Sequence, residues 1–185
     1  MKGKCFLVCL CLVLAGFNLM AQVNNSGVTV KWKTHTDSLY NFRFQYPTDW
    51  EFKLPGTNTR FFVTSYIEND ADRFRENVNC IARKLNQKNF VIKDSEEEIK
   101  TSLANKLKDY KLISSGYIKW NNTDALQLHY THTQQSGDET YYVRMFQQVA
   151  FVNGTLYSLT FTSEAANYSK YETAVNKMYS SFRIK

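Results

Sequence analysis

The chain has few cysteines, and this shortage excludes a disulfide-stapled fold. Of its four cysteines, Cys5, Cys9 and Cys11 lie within the first 21 residues, a segment that we expect to be removed on export. Cys80 would then be the only thiol left. No intramolecular disulfide could form, so the stability of the mature protein must come from its core.

Histidines are equally few, and the sequence shows no recognisable catalytic or metal-binding pattern. His129 and His132 are three residues apart on a predicted strand, so they point to opposite faces and cannot bind one metal ion, while His35 is isolated. Cys80 falls on the small apolar face of another predicted strand, which favours a buried structural thiol over a redox or nucleophilic role. We predict no catalytic residue, no cofactor and no metal site, and binding residues stay unassigned.

Two acidic segments resemble metal sites only superficially. The segment from Glu68 to Glu76 carries several oxygen-bearing side chains, but it lacks the central glycine and the distal glutamate of a calcium-binding EF-hand loop. We predict a solvated loop there, with Phe74 as its one inward anchor. The glutamates at 96–98 are typical of the first turn of a helix, where the helix dipole favours negative charge.

The only long apolar run lies at the N-terminus and is too short to span a membrane as a helix. A basic start at Lys2 and Lys4 precedes the apolar run Phe6–Gly16, and a candidate cleavage site ends at Ala21. This pattern predicts a cleaved secretory signal peptide over residues 1–21 and no membrane-spanning segment after cleavage. We therefore expect a periplasmic or secreted protein.

Neither sign of charge dominates the chain. The net charge of +6 falls to about +4 when Lys2 and Lys4 are removed, and acidic and basic residues are interspersed. The nearest basic cluster is short: Arg83, Lys84 and Lys88. Nucleic-acid binding needs a longer basic stripe or a known module, so we predict no nucleic-acid partner.

The strongest local signal is a β-hairpin from Tyr141 to Thr162. Asn153-Gly154 forms its turn, because both residues tolerate the positive φ angles that a type I′ turn requires. Aromatic residues at every second position from Tyr40 to Tyr46 predict another strand, which Pro47 ends. Shorter strands are predicted over residues 28–32, 50–52, 61–63, 78–83, 112–120 and 125–131.

Two amphipathic helices are predicted. The first opens at Asp94, where Ser95 and Glu98 have the spacing of a capping box, and its apolar stripe ends at Tyr110. The second runs from Ser163 to Ser180, and its apolar stripe consists of Tyr168, Tyr171, Val175, Met178 and Phe182.

The hairpin strands carry apolar residues on both faces, so the sheet needs cover on both sides. Two amphipathic helices can supply that cover. The sequence therefore predicts an α+β fold, a three-layer α/β/α sandwich with a central, largely antiparallel sheet. The length of the chain predicts one domain over residues 22–185.

Four features in order resemble the PsbP-like and DcrB-like family of exported domains. They are the aromatic strand, Tyr46-Pro47-x-x-Trp50, then Phe74–Asn79 leading into a strand, and a closing helix that ends in Ser181-Phe182. The resemblance covers about Tyr40 to the C-terminus and implies an α/β/α sandwich with no common catalytic residues. Family members include a lumenal photosystem subunit, photosynthetic assembly factors and bacterial periplasmic proteins.

The chain departs from these relatives because it lacks the lipid-attachment cysteine of the DcrB type and the long N-terminal extension of the photosystem subunit. We expect a secreted bacterial homologue that is not an enzyme and that docks to an envelope protein or complex as an accessory factor. Twelve tyrosines and thirteen phenylalanines suggest a surplus over one small core, available for an interface. The alternative is a pocket for a lipid or glycan, and a hydrolytic enzyme is the less favoured third.

The first prediction concerns the N-terminus. Intact mass and N-terminal sequencing of the exported protein should place its first residue near Gln22, because the basic start and short apolar run are typical of a cleaved signal. A retained leader, or an added diacylglycerol mass, would contradict this.

Overall fold

The computed structural model of the protein describes residues 30–56, 58–86, 90–120 and 122–185. The predicted signal peptide, its cleavage site and the first two residues of the predicted strand 28–32 lie outside these residues and stay predictions. Within the described ranges, no helix is long and apolar enough to cross a membrane.

Two sheets form among the described residues. The small sheet pairs β1 (Trp32–Asp37), β2 (Phe42–Pro47) and the C-terminal β10 (Arg183–Ile184) in the order β1-β2-β10. The strands of the large sheet are β3 (Glu51–Lys53), β4 (Thr59–Thr64), β5 (Asn77–Lys84), β6 (Lys108–Trp120), β7 (Thr123–Ser136), β8 (Glu139–Val152) and β9 (Thr155–Glu164). Their spatial order is β3-β4-β5-β9-β8-β7-β6, and every pairing is antiparallel.

The predicted hairpin is confirmed as the centre of the large sheet. β8 and β9 pair from Val152↔Thr155 outward, and Asn153 and Gly154 have φ angles of 49° and 78°. Two consecutive positive φ angles give the type I′ geometry that matches the twist of the strands. β9 also pairs with β5 along its length, so each hairpin strand has neighbours on both sides.

The first helix differs from its prediction at both ends. A 3-10 turn (Ile92–Ser95) precedes α1 (Glu96–Lys106), and Tyr110 already belongs to β6. The predicted capping box is wrong, because the Ser95 hydroxyl donates back to the Val91 carbonyl at 3.4 Å and makes no cap bond. The local alternative of a serine bonding backward competes with the cap.

The second helix, α2, begins five residues later than predicted and spans Tyr168–Ser181. Ser163 lies instead in β9, where its side chain is fully buried. The predicted apolar stripe is confirmed: every one of its members is buried, with Phe182 just after the helix end. Tyr179 joins them, and its hydroxyl donates to the Phe146 and Leu159 carbonyls at 2.8 and 3.1 Å.

The layers form the predicted α/β/α sandwich, and the small sheet is an addition to one of the outer layers. α2 and the small sheet cover one face of the large sheet, and α1 with its preceding turn lies on the other. The aromatic strand β2 belongs to the small sheet, and of the described residues in the predicted strand 28–32 only Trp32 belongs to β1. Arg60 Nε of β4 donates to Asp37 Oδ2 of β1 at 2.8 Å, so a partly buried ion pair joins the two sheets.

Aromatic rings fill the space between the small sheet, α2 and the large sheet. Phe44 stacks on Phe61 with 4.0 Å between ring centroids, and Phe42 stacks on Phe182 at 4.9 Å. Cys80 is buried on this face with Val78 and Ala82, as predicted. Because stacked rings bury large apolar areas, this layer supplies much of the hydrophobic stabilisation.

The second prediction concerns Trp50, which is 6% exposed and meets Tyr171 of α2 edge-on at 5.8 Å. Trp50→Ala should lower the free energy of unfolding by about 3 to 5 kcal/mol, because it leaves a cavity in the core. Urea unfolding measures the loss. Tyr66→Ala, at a side chain 45% exposed, is the control and should change stability by less than about 1 kcal/mol. Equal effects of the two variants would place Trp50 outside the core.

Candidate functional site

The histidines do not meet, in agreement with the sequence interpretation. His129 lies on the α2 face of the large sheet, where its Nε2 is 3.1 Å from the Tyr168 hydroxyl. The Arg144 guanidinium stacks over the Tyr168 ring at 4.0 Å, and burial together with this cation lowers the pKa of His129. His132 is turned to the other face and lies against Tyr130. His129 thus has a tyrosine as its partner where a nucleophile and a carboxylate would be needed for a triad.

Cys80 is an inert thiol by its surroundings. Its side chain is fully buried, and burial raises the pKa of the thiol well above its usual range. A reactive cysteine needs exposure and a base or cation that lowers its pKa. The predicted burial of Cys80 is therefore confirmed.

In the acidic loop between β4 and β5, the carboxylates bond to the backbone of the loop and to α2. Asp72 accepts the backbone N–H groups of Glu68 at 2.9 Å and Phe74 at 3.2 Å, and Glu68 pairs with Lys170 and the Tyr171 hydroxyl of α2. Phe74 is buried against Tyr141, as predicted. Within the described ranges, no group of three potential metal ligands converges.

A buried carboxylate lies at the end of this loop, and the sequence pattern did not predict it. Glu76 is 1% exposed and accepts hydrogen bonds from the Ser65 hydroxyl at 3.2 Å and the Ser163 hydroxyl at 3.4 Å. Burial raises the pKa of Glu76, although its hydrogen-bond donors, which include Tyr171, partly offset the effect. Glu76 ties the loop to β9 and α2, so we assign it to structure.

The prediction that the tyrosines and phenylalanines exceed what the core can bury is wrong. Most tyrosines and phenylalanines in the described ranges are buried or half-buried, and the exposed ones there are Tyr66, Tyr117 and Tyr142. Two sheets and two helices create more interior surface than one simple sandwich core would. Packing therefore explains the aromatic composition, and the number of aromatic residues does not by itself indicate a functional surface.

Within the described ranges, no helix covers one part of the large sheet. α1 packs on β6, and the turn before it packs on β7 and β8, so the outward residues of β4, β5 and β9 lie beyond it. We call this region the open sheet face. It consists of Phe62, Asn79, Ile81, Ser158 and Thr160, whose strands pair as Phe62↔Asn79↔Thr160 and Ile81↔Ser158.

The open sheet face is exposed mainly at Ile81, whereas Ser158 and Thr160 beside it are buried. Ile81 is 40% exposed in the middle of a strand, Phe62 and Asn79 are half-buried, and the Ser158 hydroxyl accepts from the Gln147 amide at 2.8 Å. On the opposite side of the same strands, Val63, Val78 and Cys80 are fully buried. An exposed isoleucine beside amides and hydroxyls is the mixture found in protein interfaces.

A groove begins at the border of the open sheet face and runs beneath α1. Its volume is about 580 Å³, and we call it the α1 groove. Apolar side chains from α1 and β9 form its walls (Ile99, Leu103 and Leu156), and Arg83, Glu98 and Gln147 are among its polar groups. A second depression, of about 590 Å³, lies at the acidic loop, and Glu68, Asp72, Glu139 and Glu164 are among its lining residues.

Comparisons with known proteins agree with the fold. The PsbP family model matches residues 31–184, which is most of the chain. The chain belongs to the PsbP family. This confirms the resemblance that the four sequence features indicated. A comparison with curated proteins found no match.

Solved structures similar to this PsbP-family chain share little sequence with it. Cyanobacterial PsbP (CyanoP) from Synechocystis sp. PCC 6803 superposes with a TM-score of 0.60 at 15% identity, over 90% of this chain and 99% of that one. LpqN of Mycobacterium tuberculosis, involved in cell envelope biogenesis, has a TM-score of 0.57 at 12% identity, over 85% and 86%. The Saccharomyces cerevisiae Ran-binding protein Mog1p has a TM-score of 0.55 at 8% identity, over 84% and 96%. At these identities the likeness establishes the fold.

The third prediction follows from Glu76. Its pKa is higher in the folded protein than in the unfolded chain, so its contribution to stability is fully present below the unfolded pKa and is lost as pH rises through the folded pKa. The free energy of unfolding of the natural protein, minus that of Glu76→Gln, should therefore fall between pH 4 and pH 7, which urea unfolding at several pH values measures. Glu98→Gln, at an exposed position, is the control. A difference that grows with pH would show that Glu76 is stabilised as a carboxylate.

Proposed function

We propose that the protein is exported and acts as a non-catalytic accessory factor that docks, through its open sheet face, to an envelope protein or protein complex. The observation that carries the proposal is the exposure of this face. Ile81 is 40% exposed on a strand whose opposite side is fully buried. A strand in the middle of a three-layer sandwich is ordinarily covered on both faces.

The side chains of the face suit a protein partner. Ile81 and Phe62 supply an apolar centre, while the half-buried Asn79 beside them supplies a hydrogen-bonding amide. Specific interfaces commonly combine an apolar centre with a polar rim. The rigid sheet beneath also means that little conformational entropy is lost when a partner binds.

The relatives support an accessory role without naming a partner. LpqN is described as involved in cell envelope biogenesis and Mog1p as a Ran-binding protein, so proteins of this fold include one linked to the envelope and one that binds another protein. The predicted signal peptide would bring this chain to the envelope. The partnership of His129 with Tyr168, rather than with a nucleophile and a carboxylate, also supports a non-catalytic role.

The fourth prediction tests the docking face in cells. A photo-crosslinking amino acid at Ile81 should capture a specific envelope protein, because that side chain is exposed at the centre of the face. The same amino acid at Asn176, exposed on α2, is the matched control and should capture none. Crosslinked products would be identified by mass spectrometry.

For a second test, the photo-crosslinking amino acid is placed at the neighbouring Asn79. The additional substitution Ile81→Glu should then abolish crosslinking to the envelope protein, because it places a charge in an apolar interface. The thermal stability of this variant should remain close to that of the natural protein. Crosslinks of equal yield at Ile81 and Asn176, or no crosslink at either position, would reject docking through this face.

A further inference from the structure

The α1 groove has the shape and chemistry of a ligand site distinct from the proposed docking face. We propose that it binds a single-chain fatty carboxylate, with the carboxylate at Arg83 and the acyl chain between α1 and the sheet. The groove measures about 580 Å³, within the range of small-molecule pockets.

The apolar part of the site arises from incomplete packing of α1. No residue of α1 is buried, although Ile99 and Leu103 face the apolar cluster of Leu126, Leu128 and Val149. Their side chains remain half-exposed and line the groove together with Leu156 of β9. A helix that covers a sheet ordinarily buries such a stripe, so an acyl chain can occupy the remaining apolar space.

Arg83 supplies the recognition of the head group. It lies on β5 opposite Leu156, on the groove side of the sheet, and within the described ranges it forms no ion pair. A guanidinium can donate two parallel hydrogen bonds to a carboxylate. The neighbouring Lys84 points to the opposite face of the same strand, so Arg83 is the cation that the strand presents to the groove.

The other polar groups of the α1 groove determine at which end of the groove the carboxylate of the ligand lies. Glu98 of α1 also lines the groove and would repel a carboxylate placed beside it, so the head group must lie on the β5 side. Gln147 is held by its bonds to Ser158 and Tyr130, at 2.8 and 3.5 Å, and forms a fixed polar floor.

A fatty carboxylate suits the groove better than a glycan. Sugar rings stack on accessible aromatic faces, but Phe90, the aromatic residue of the lining, packs against Phe151 with ring centroids 5.0 Å apart. The aliphatic wall of Ile99, Leu103 and Leu156 instead matches a flexible chain.

Binding of laurate to the full mature chain, measured by titration calorimetry below the micellar concentration, tests the proposal. The natural protein should bind laurate at one site, and dodecanol should bind at least about tenfold more weakly because it lacks the charge. Arg83→Gln should weaken laurate about tenfold and leave dodecanol unchanged. Lys84→Gln, the matched control, should leave both unchanged.

Ser102→Trp, on the α1 wall of the groove, should block both ligands while the melting temperature shows that the chain is folded. The proposal is overturned if the natural protein does not bind laurate, or if laurate and dodecanol bind equally. It is also overturned if Arg83→Gln behaves like Lys84→Gln, or if folded Ser102→Trp still binds. Crosslinking from Ile81 is measured independently. A negative result with laurate would therefore not bear on the docking proposal.

Discussion

The structure depends on a seven-stranded sheet that needs cover on both faces at its centre. The central strand β8 carries apolar side chains on both faces, whereas its neighbour β9 is apolar on one face and mostly polar on the other. On one side, α2 and the small sheet bury a continuous aromatic layer around Phe44, Phe61 and Phe182. Because burial of apolar surface is the main stabilising contribution to folding, this side supplies much of the stability of the fold.

The other side is covered only in part, and both functional proposals follow from that asymmetry. α1 contributes no buried residue, so it rests on the sheet without closing the space beneath it. Beyond α1, the sheet replaces large apolar residues with Asn79, Ser158 and Thr160. Ser158 and Thr160 are themselves buried, so the accessible part of this surface is Ile81 with the half-buried Phe62 and Asn79 beside it. The α1 groove lies where the covered and uncovered parts meet.

Buried polar groups hold the other elements in register. Glu76 joins the acidic loop to β9, and the ion pair of Arg60 with Asp37 joins the large sheet to the small one. Such groups are costly to bury unless each has a partner, so they specify one arrangement of the layers. The carboxylates of the acidic loop are likewise engaged in its own turns, which explains why an acidic sequence there forms a structured connection.

The sequence by itself determined the features that depend on near neighbours. The φ preferences of Asn153-Gly154 placed the hairpin, and three-to-four spacing placed the buried stripe of α2. Alternation also placed Cys80 inside. Only the tertiary structure decided the second sheet, the burial of Glu76 and the exposure of Ile81, because each depends on which distant strand or helix lies opposite. A strand pattern shows which side chains share a face, but the position of α1 over β6 decides which part of that face remains open.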